Sequence, residues 1–157
     1  MELKLKKKVE TLKIIETNID DMNPEFYQYL IDKLFENGAL DVYMTPIIMK
    51  KQRSATLLTV ISENLQFEQL KEIIFKESST FGIRYYDVLR HKLERNFDTI
   101  EIFNNKIRVK KGYLDGVLIK VYPEYEDIKA LAKSAKMSIS DVYRYATKYI
   151  QDTYFSH

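Results

Sequence analysis

The sequence predicts an α+β protein with a ferredoxin-like β-α-β-β-α-β unit followed by a small β-meander plus two-helix subdomain. Three observations predict this. In residues 10–94, strand-like alternation of apolar residues is interrupted twice by apolar residues at helical spacing. In residues 95–157, short strand-like runs come first and two helical patterns follow. The order of the first part is that of a split βαβ unit, in which an antiparallel sheet carries both helices on one face.

The first strand and helix of the 10–94 part have clear local signals. Residues 11–19 are rich in β-branched residues and alternate in polarity, which predicts a strand. Asn23 is suited to cap a helix and Pro24 to occupy its first position, because both residues favour a helix start. Gly38 is expected to end this helix in a left-handed conformation.

The remaining elements of this part follow from hydrophobic period and turn residues. Residues 41–50 and 55–62 are predicted to form a hairpin with the polar tip KQRS. Pro46 predicts an edge strand or a bulge, since proline donates no ladder hydrogen bond. Residues 65–77 have apolar positions at helical spacing, and residues 80–93 are predicted to form one long strand.

The 95–157 part has shorter elements. Residues 98–103, 106–114 and 117–123 are predicted to be strands, followed by helices over about 125–135 and 140–154. Turns are expected at Asn104-Asn105 and Asp115-Gly116, and the second of these is a strong hairpin signal. The residues expected to face inward on the two helices are Ile128, Leu131, Ala132, Ala135, Val142, Tyr145, Ala146 and Tyr149.

Composition limits the possible chemistry of the 157-residue chain. It has no cysteine, so thiolate metal sites are excluded, and with only two histidines a histidine-rich metal site within one chain is not expected. A bound metal ion is therefore expected to have oxygen ligands, as Mg²⁺ or Mn²⁺ does. No apolar run is long enough for a membrane span, and the N-terminal MELKLKKKVE lacks the features of a signal peptide. A cytoplasmic protein is expected.

The segment ETNIDDMNPE is the first candidate site. Asp20 and Asp21 stand where the first strand ends and a helix is about to begin. Carboxylates in this position can bind a divalent ion that bridges phosphate oxygens, and the helix N-terminus would add attraction for an anion. The alternative is that both aspartates only shape a turn.

Cationic side chains form the second group of candidates. Lys50, Lys51 and Arg53 lie at the predicted hairpin tip, where they are suited to grip a triphosphate. Arg84 and Arg95 lie at either end of the long predicted strand. The alternative is a solvated tip whose charges prevent edge-to-edge aggregation.

Two further segments have competing interpretations. In PEYED, the residues Glu124, Glu126 and Asp127 either bind a metal ion or supply first-turn charges to a helix. Residues 130–146 have the outline of a helix-turn-helix, which would favour nucleic-acid binding. Lys136 replaces the usual turn glycine and only Arg144 is basic early in the second helix, so a packed helical hairpin is favoured.

Several long motifs resemble one known family. ETNIDDMNPE, GALDVYMTPIIMKK, TFGIR and PEYEDIKALAK occur in the order and spacing of the C-terminal domain of LarC proteins. This family comprises nickel chelatases that mature the nickel-pincer cofactor of lactate racemase. The resemblance covers about residues 10–146. One difference is visible at the hairpin tip, where the family usually continues MKKGRPG and this chain has Gln52, Ser54 and Ala55.

The resemblance implies a specific reaction. LarC proteins act as lyases that insert Ni²⁺, a substrate, into pyridinium-3,5-bisthiocarboxylic acid mononucleotide, while CTP is hydrolysed to CMP and pyrophosphate with Mn²⁺ or Mg²⁺. The C-terminal domain is associated with CTP binding, with assembly into trimers or hexamers, and with an N-terminal domain that binds nickel. A non-catalytic oligomerisation or scaffold module is the alternative.

The resemblance also implies roles for individual residues, although it identifies no catalytic residue. The residues expected to bind the divalent ion are Glu16, Asp20, Asp21, Glu124, Glu126 and Asp127. Those expected to bind the nucleotide phosphates are Lys50, Lys51, Arg53, Arg84 and Arg95.

Overall fold

The computed structural model describes residues 9–156. The prediction that MELKLKKKVE is not a signal peptide therefore concerns residues that lie largely outside the described range. The described elements, in chain order, are β1 (Val9–Ile19), α1 (Phe26–Glu36), β2 (Asp41–Met49), β3 (Arg53–Ser62), α2 (Phe67–Glu77), β4 (Arg84–His91), β5 (Glu94–Ile102), β6 (Asn105–Leu114), β7 (Val117–Pro123), α3 (Tyr125–Ala135) and α4 (Ile139–Tyr154). No helix in this range is both long enough and apolar enough to span a membrane. Contacts between Cα atoms divide the described chain into two compact units, residues 9–91 and 92–156.

The first unit is a four-stranded sheet with the strand order β2-β3-β1-β4, and every neighbouring pair is antiparallel. This is the order of a ferredoxin-like unit, and the predicted fold class is confirmed. β2 lies at one edge, as Pro46 predicts. Helices α1 and α2 bury their apolar stripes against one face of the sheet, and the largest buried side chains there are Ile15, Leu30, Leu34, Leu58, Leu70 and Ile74.

Strand β1 has one face against the helices and an opposite face that carries Glu16 and Asn18 beyond the buried Leu12 and Ile14. Ile15, Thr17 and Ile19 are buried on the side of the helices. Because successive side chains of a strand point to opposite faces, Glu16 and Asn18 emerge on the other side. Glu16 lies directly opposite Arg84 of β4 in the register of the sheet. The open face of the first sheet, opposite α1 and α2, is therefore where polar candidates collect.

Helix α1 ends as predicted but begins later. Gly38 has a φ of +92°, and the amide N–H of Ala39 donates to the carbonyl of Leu34 over 3.0 Å, closing a left-handed cap. At the start, the helix begins at Phe26, two residues after the predicted first position at Pro24. The N–H of Phe26 donates to the carbonyl of Asn23 over 3.0 Å, so a tight turn precedes the helix.

The predicted strand over residues 80–93 is too long, because β4 begins at Arg84 and ends at His91. The preceding residues form a loop whose polar groups bond to one another. The hydroxyl oxygens of Thr80 and Thr17 lie 2.9 and 2.8 Å from the carbonyl oxygen of Gly82 and 2.6 Å from each other, so one hydroxyl donates to the carbonyl and the other donates to it or to the first hydroxyl. These side-chain hydrogen bonds occupy the Gly82 carbonyl within the loop, in place of a hydrogen bond to a neighbouring strand.

The second unit is the antiparallel sheet β5-β6-β7 with α3 and α4 on one face. Asp115 and Gly116 have φ values of +50° and +81°, as the hairpin prediction requires. The other turn is displaced by one residue, since Phe103 and Asn104 take the left-handed conformation instead of Asn104 and Asn105. The core of this unit includes Ile100, Ile107, Val109, Val121, Ile128, Leu131 and Val142.

The inward faces of α3 and α4 differ in part from the prediction. On α4 the buried stripe is Val142, Ala146 and Ile150, whereas Tyr145 and Tyr149 are exposed. Ala135 at the end of α3 is also exposed. A tyrosine can lie beside a stripe with its hydroxyl in water, so aromatic residues at helical spacing do not identify the buried face uniquely.

Candidate anion and metal site on the first sheet

A row of polar side chains continues along β1 and just beyond its end. Glu16, Asn18 and Asp20 occupy alternate positions, spaced about 7 Å apart along an extended strand. Arginines from neighbouring strands meet all three. Arg84 donates from Nε to Glu16 over 2.8 Å and from a terminal nitrogen to Asn18 over 3.1 Å, and Arg53 bonds Asp20 over 3.1 Å. The row therefore alternates acidic and neutral oxygen groups, each in contact with a guanidinium.

Tyr86 adds a hydroxyl to this row. Its oxygen lies 3.4 Å from Oε1 of Glu16, on the carboxylate edge that Arg84 leaves free. Burial raises the pKa of Tyr86, and the negative charge of Glu16 adds to the effect. The hydroxyl therefore keeps its proton and acts as a donor. Sequence reasoning missed Asn18 and Tyr86, because only the strand register places them next to Glu16.

The cations of the hairpin tip are accessible to solvent. Lys50 and Lys51 lie in a short 3₁₀ turn between β2 and β3, and both are exposed. Lys51 and Gln52 have φ values of +62° and +57°. Gln52 thus takes a left-handed conformation at the position where the resembled family carries glycine, so the turn forms without it at some conformational cost. The Arg53 side chain is 61% exposed.

Asp21 does not join the polar row. Its carboxylate accepts a hydrogen bond of 2.5 Å from the hydroxyl of Ser79 in the loop before β4. It lines a groove of about 620 Å³ that also includes Phe26 and Tyr29 of α1 and Lys76 of α2. β1 ends at Ile19, so the two adjacent aspartates leave the sheet toward different partners.

The predicted acidic residues of the second unit are also paired with cations. Asp127 accepts bonds of 2.9 and 2.8 Å from the guanidinium of Arg108, which lowers the pKa of the carboxyl group. Glu124 pairs with Lys110 over 2.8 Å, and Glu126 lies 3.3 Å from Lys129. Arg95 is exposed on β5.

The described residues contain no group of three or more histidine, aspartate or glutamate side chains placed to hold a metal ion. Glu16 and Asp20 each pair with an arginine instead of forming an acidic cluster. Such pairs suit a metal ion that arrives already bound to phosphate oxygens, because Mg²⁺-type ions keep most of their water and phosphate ligands and need only one or two carboxylates.

The helix-turn-helix interpretation finds little support in charge. Lys136 takes the left-handed conformation of the missing glycine, and Ser138 caps α4 by accepting from the N–H of Asp141 over 3.1 Å. Arg144 bonds Asp141 over 2.6 Å, which neutralises the basic side chain of the proposed nucleic-acid surface. Val142 is buried against α3 and the sheet.

Comparison with known proteins points to one family. A sequence model described as "Nickel insertion protein" matches residues 2–143. Pyridinium-3,5-bisthiocarboxylic acid mononucleotide nickel insertion proteins from Clostridium kluyveri and Acetivibrio thermocellus are each 45% identical to this chain over 137 residues, or 87% of it. A putative nickel insertion protein from Dictyoglomus thermophilum is 45% identical over 129 residues. The chain spans about a third of the length of these relatives, between 33% and 34%.

A solved structure has the same fold. It is the apo form of the C-terminal domain of a cyclometallase, LarC, involved in the synthesis of the nickel-pincer cofactor of lactate racemase. The TM-score is 0.83 and the identity 34%, covering 89% of this chain and 96% of that domain. A protein from Methanopyrus kandleri, 18% identical with a TM-score of 0.69, shares the fold.

Proposed function

The chain belongs to the nickel insertion protein family, and on this premise we propose that it binds CTP together with Mn²⁺ or Mg²⁺ on the open face of its first sheet. The observation that supports this proposal is the polar row of Glu16, Asn18 and Asp20 with Arg84 and Arg53 beside it. The row combines hard oxygen ligands with guanidinium groups, which are the groups that a metal–triphosphate complex requires.

The residues present fit such a complex. The side chains of Arg84 and Arg53 are 52% and 61% exposed, whereas those of Glu16 and Asp20 are only 17% and 23% exposed. The arginines therefore lie on the solvent side of the carboxylates and are free to turn toward an incoming phosphate. Guanidinium groups form strong bidentate bonds with phosphate as they do with carboxylate, so a phosphate can take the place of the carboxylate as their partner. Glu16 and Asp20 would then hold the divalent ion, which neutralises phosphate charge when bound.

The hairpin tip completes the proposed phosphate site. Lys50 and Lys51 are exposed point charges a short distance along the chain from Arg53, so they are suited to the terminal phosphates. Hydrolysis of CTP to CMP and pyrophosphate is part of the proposal. Such chemistry depends mainly on positioning and charge stabilisation, which does not require a thiol or an imidazole.

The complete reaction is proposed for the whole protein of which this chain matches about a third. There, nickel is the substrate that is inserted into the pyridinium mononucleotide named for the relatives, and an N-terminal domain supplies the nickel site. A cytoplasmic homo-oligomer is proposed. Metal-binding roles for Asp21, Glu124, Glu126 and Asp127 and a phosphate-binding role for Arg95 stay predictions.

Calorimetric titration with CTP and Mn²⁺ tests the proposal. Glu16→Gln combined with Asp20→Asn is expected to weaken binding by at least about tenfold, the loss typical of removing groups that support a bound metal. Asp32→Asn combined with Glu72→Gln makes the same charge change on the surfaces of α1 and α2 and is expected to leave the affinity unchanged. Equal affinity in both double variants would refute the assignment.

A second measurement separates this function from a scaffold role. A ligand that binds only the folded state raises its apparent stability. Mn²⁺ with CTP is therefore expected to raise the Tm of the unmodified chain, and Mn²⁺ alone to raise it less. No change in Tm at saturating CTP would favour a non-catalytic scaffold module.

A further inference from the structure

The groove that contains Asp21 lies between the start of α1 and the end of α2. It is lined by the segment after β1, by the first turns of α1 and by residues 76–79. Its volume of about 620 Å³ is within the range of pockets that hold a small molecule. Two aromatic rings, Phe26 and Tyr29, and the carboxylate of Asp21 are part of its lining. Rings together with a few polar groups are the usual lining of a ligand pocket.

Of the two rings, Phe26 is the one available to a flat ligand. Phe26 and Tyr29 are 55% and 58% exposed. The Lys33 ammonium lies 5.4 Å from the centre of the Tyr29 ring and donates to its hydroxyl over 3.4 Å, so Tyr29 already has a cationic neighbour. Among residues 9–156, no aromatic or cationic side chain lies against the Phe26 ring. A neutral aromatic ring can therefore stack on Phe26.

The carboxylate of Asp21 is not neutralised by a cation. The other carboxylate in the lining, Glu77, pairs with Lys33 over 2.5 Å. Asp21 accepts one hydrogen bond, from the hydroxyl of Ser79, and has no ion pair within the described part of the chain. An ionised carboxylate has room for several donors, and acidic side chains bind the ribose hydroxyls of nucleotides in this way. Its negative charge suits neutral hydroxyl groups and disfavours direct contact with phosphate.

The groove adjoins the proposed phosphate site. Asp20 and Asp21 are consecutive, so their Cα atoms lie about 3.8 Å apart. The Asp20 side chain bonds Arg53 on the open face of the first sheet, whereas Asp21 lines the groove. Both residues lie beyond Ile19, where β1 ends. A ligand that passes the end of this strand therefore reaches both carboxylates.

We propose that the groove binds the nucleoside half of a nucleotide whose triphosphate and metal ion lie on the open face of the first sheet. The neutral pyrimidine ring stacks on Phe26, and the ribose hydroxyls donate to Asp21. This inference rests on the proposed function and adds a base and ribose subsite to it. Asp21 is then a ribose ligand instead of the metal ligand that the family resemblance implies.

Calorimetric titrations with CTP and with inorganic tripolyphosphate, both with Mn²⁺, test the role of Asp21. Tripolyphosphate has the phosphate chain without the nucleoside. Asp21→Ala is expected to weaken CTP binding about tenfold, the loss typical of one hydrogen bond to a charged group, and to leave tripolyphosphate binding unchanged. Asp32→Ala removes a carboxylate from α1 outside the groove and is expected to change neither. An equal loss of both ligands in Asp21→Ala would overturn the proposal, because Asp21 would then act on the metal ion.

The ring is tested with the same pair of ligands. Phe26→Ala is expected to weaken CTP binding about tenfold, since stacking of a base on one ring contributes that much, and to leave tripolyphosphate binding unchanged. Phe26→Trp keeps a ring and is expected to keep the affinity. Phe35→Ala removes a ring that is 45% exposed and about 14 Å further along α1, and no effect is expected. Unchanged CTP affinity in Phe26→Ala would refute stacking in the groove.

A modified sugar isolates the ribose contact. 2′,3′-Dideoxy-CTP has no ribose hydroxyl and is expected to bind the unmodified chain more weakly than CTP does. Asp21→Ala is expected to leave the affinity for this analogue unchanged, because the contact it removes is already absent. If Asp21→Ala weakened the binding of CTP and of the dideoxy analogue by the same factor, Asp21 would not bind the ribose.

Cytidine without phosphate separates failure of this proposal from failure of the proposed function. Saturation-transfer NMR is expected to show cytidine bound to the unmodified chain, with a weaker signal for Asp21→Ala and Phe26→Ala. If cytidine binds in this way and tripolyphosphate does not bind, the proposed function fails at the first sheet and the groove stands. If tripolyphosphate binds and cytidine does not, the phosphate site stands and the groove proposal is wrong. Binding of neither ligand would refute both.

Discussion

Replacing Thr17 by valine tests how the loop before β4 is held on the sheet. Thr17 is only 1% exposed, and its hydroxyl lies 2.6 Å from the hydroxyl of Thr80 and 2.8 Å from the carbonyl of Gly82. Valine has nearly the same shape and no hydroxyl. The substitution therefore removes both bonds without opening a cavity.

The structure sets the size of the effect. After the substitution, Thr80 still donates to the Gly82 carbonyl over 2.9 Å, so neither group is left without a partner. The expected loss is then the net value of ordinary hydrogen bonds, about 1–2 kcal/mol, instead of the larger penalty for an unsatisfied buried group. With a urea m-value of about 2 kcal/mol/M, the midpoint should fall by about 0.5–1 M.

Urea unfolding followed by far-ultraviolet circular dichroism measures this loss. Thr59→Val is the matched control, because Thr59 is also 1% exposed in the same sheet and its hydroxyl has no hydrogen bond among the described residues. It is expected to leave the midpoint nearly unchanged. An equal fall in both variants would show that the hydroxyl of Thr17 does not hold the loop.

Two further substitutions probe buried and charged polar groups. Bonds from Lys111, the N–H of Thr99 and Tyr154 lower the pKa of Asp98 to about 2. The folded state thus stabilises the charged form of Asp98, so Asp98→Asn is expected to lower the Tm at neutral pH. The difference in Tm between the variant and the unmodified chain should disappear as the pH falls from about 4 through about 2, where Asp98 becomes protonated. A Tm difference that persists in acid would contradict this. Ser62 is fully buried, and its hydroxyl has no hydrogen-bond partner in the described structure. Ser62→Ala is therefore expected to raise the free energy of unfolding, measured with urea, by roughly 1 kcal/mol. A lower free energy of unfolding in the variant would show that the hydroxyl makes a stabilising bond.

The order of elements could be predicted from the sequence because its signals are local. The spacing of apolar residues and the positions of glycine and proline act within a few residues of the chain. They correctly predicted that Gly38 ends α1 and that Pro46 lies on an edge strand. The predicted start of β4 was wrong because the hydroxyls of Thr80 and of the distant Thr17 hydrogen-bond in the loop at Gly82. Side-chain bonds of this kind leave no periodic trace in the sequence.

The candidate site was predictable only in part. Acidic residues after a strand indicated Asp20 and Asp21 as metal ligands, and the family resemblance added Glu16. No observation tests these roles directly. The partners of these residues depend on register, since Arg84 and Tyr86 are 68 and 70 residues away from Glu16 in the chain. A shift of one residue in the pairing would have placed them on the opposite face.

Asp20 and Asp21 share a single peptide unit, yet one faces Arg53 across the sheet and the other faces Ser79 in the groove. The peptide between them is planar, but each side chain turns about its own Cα–Cβ bond, so one carboxylate can change its partner while the other keeps its own. A substitution at Asp20 therefore alters the open face of the first sheet, whereas a substitution at Asp21 alters the groove beside α1.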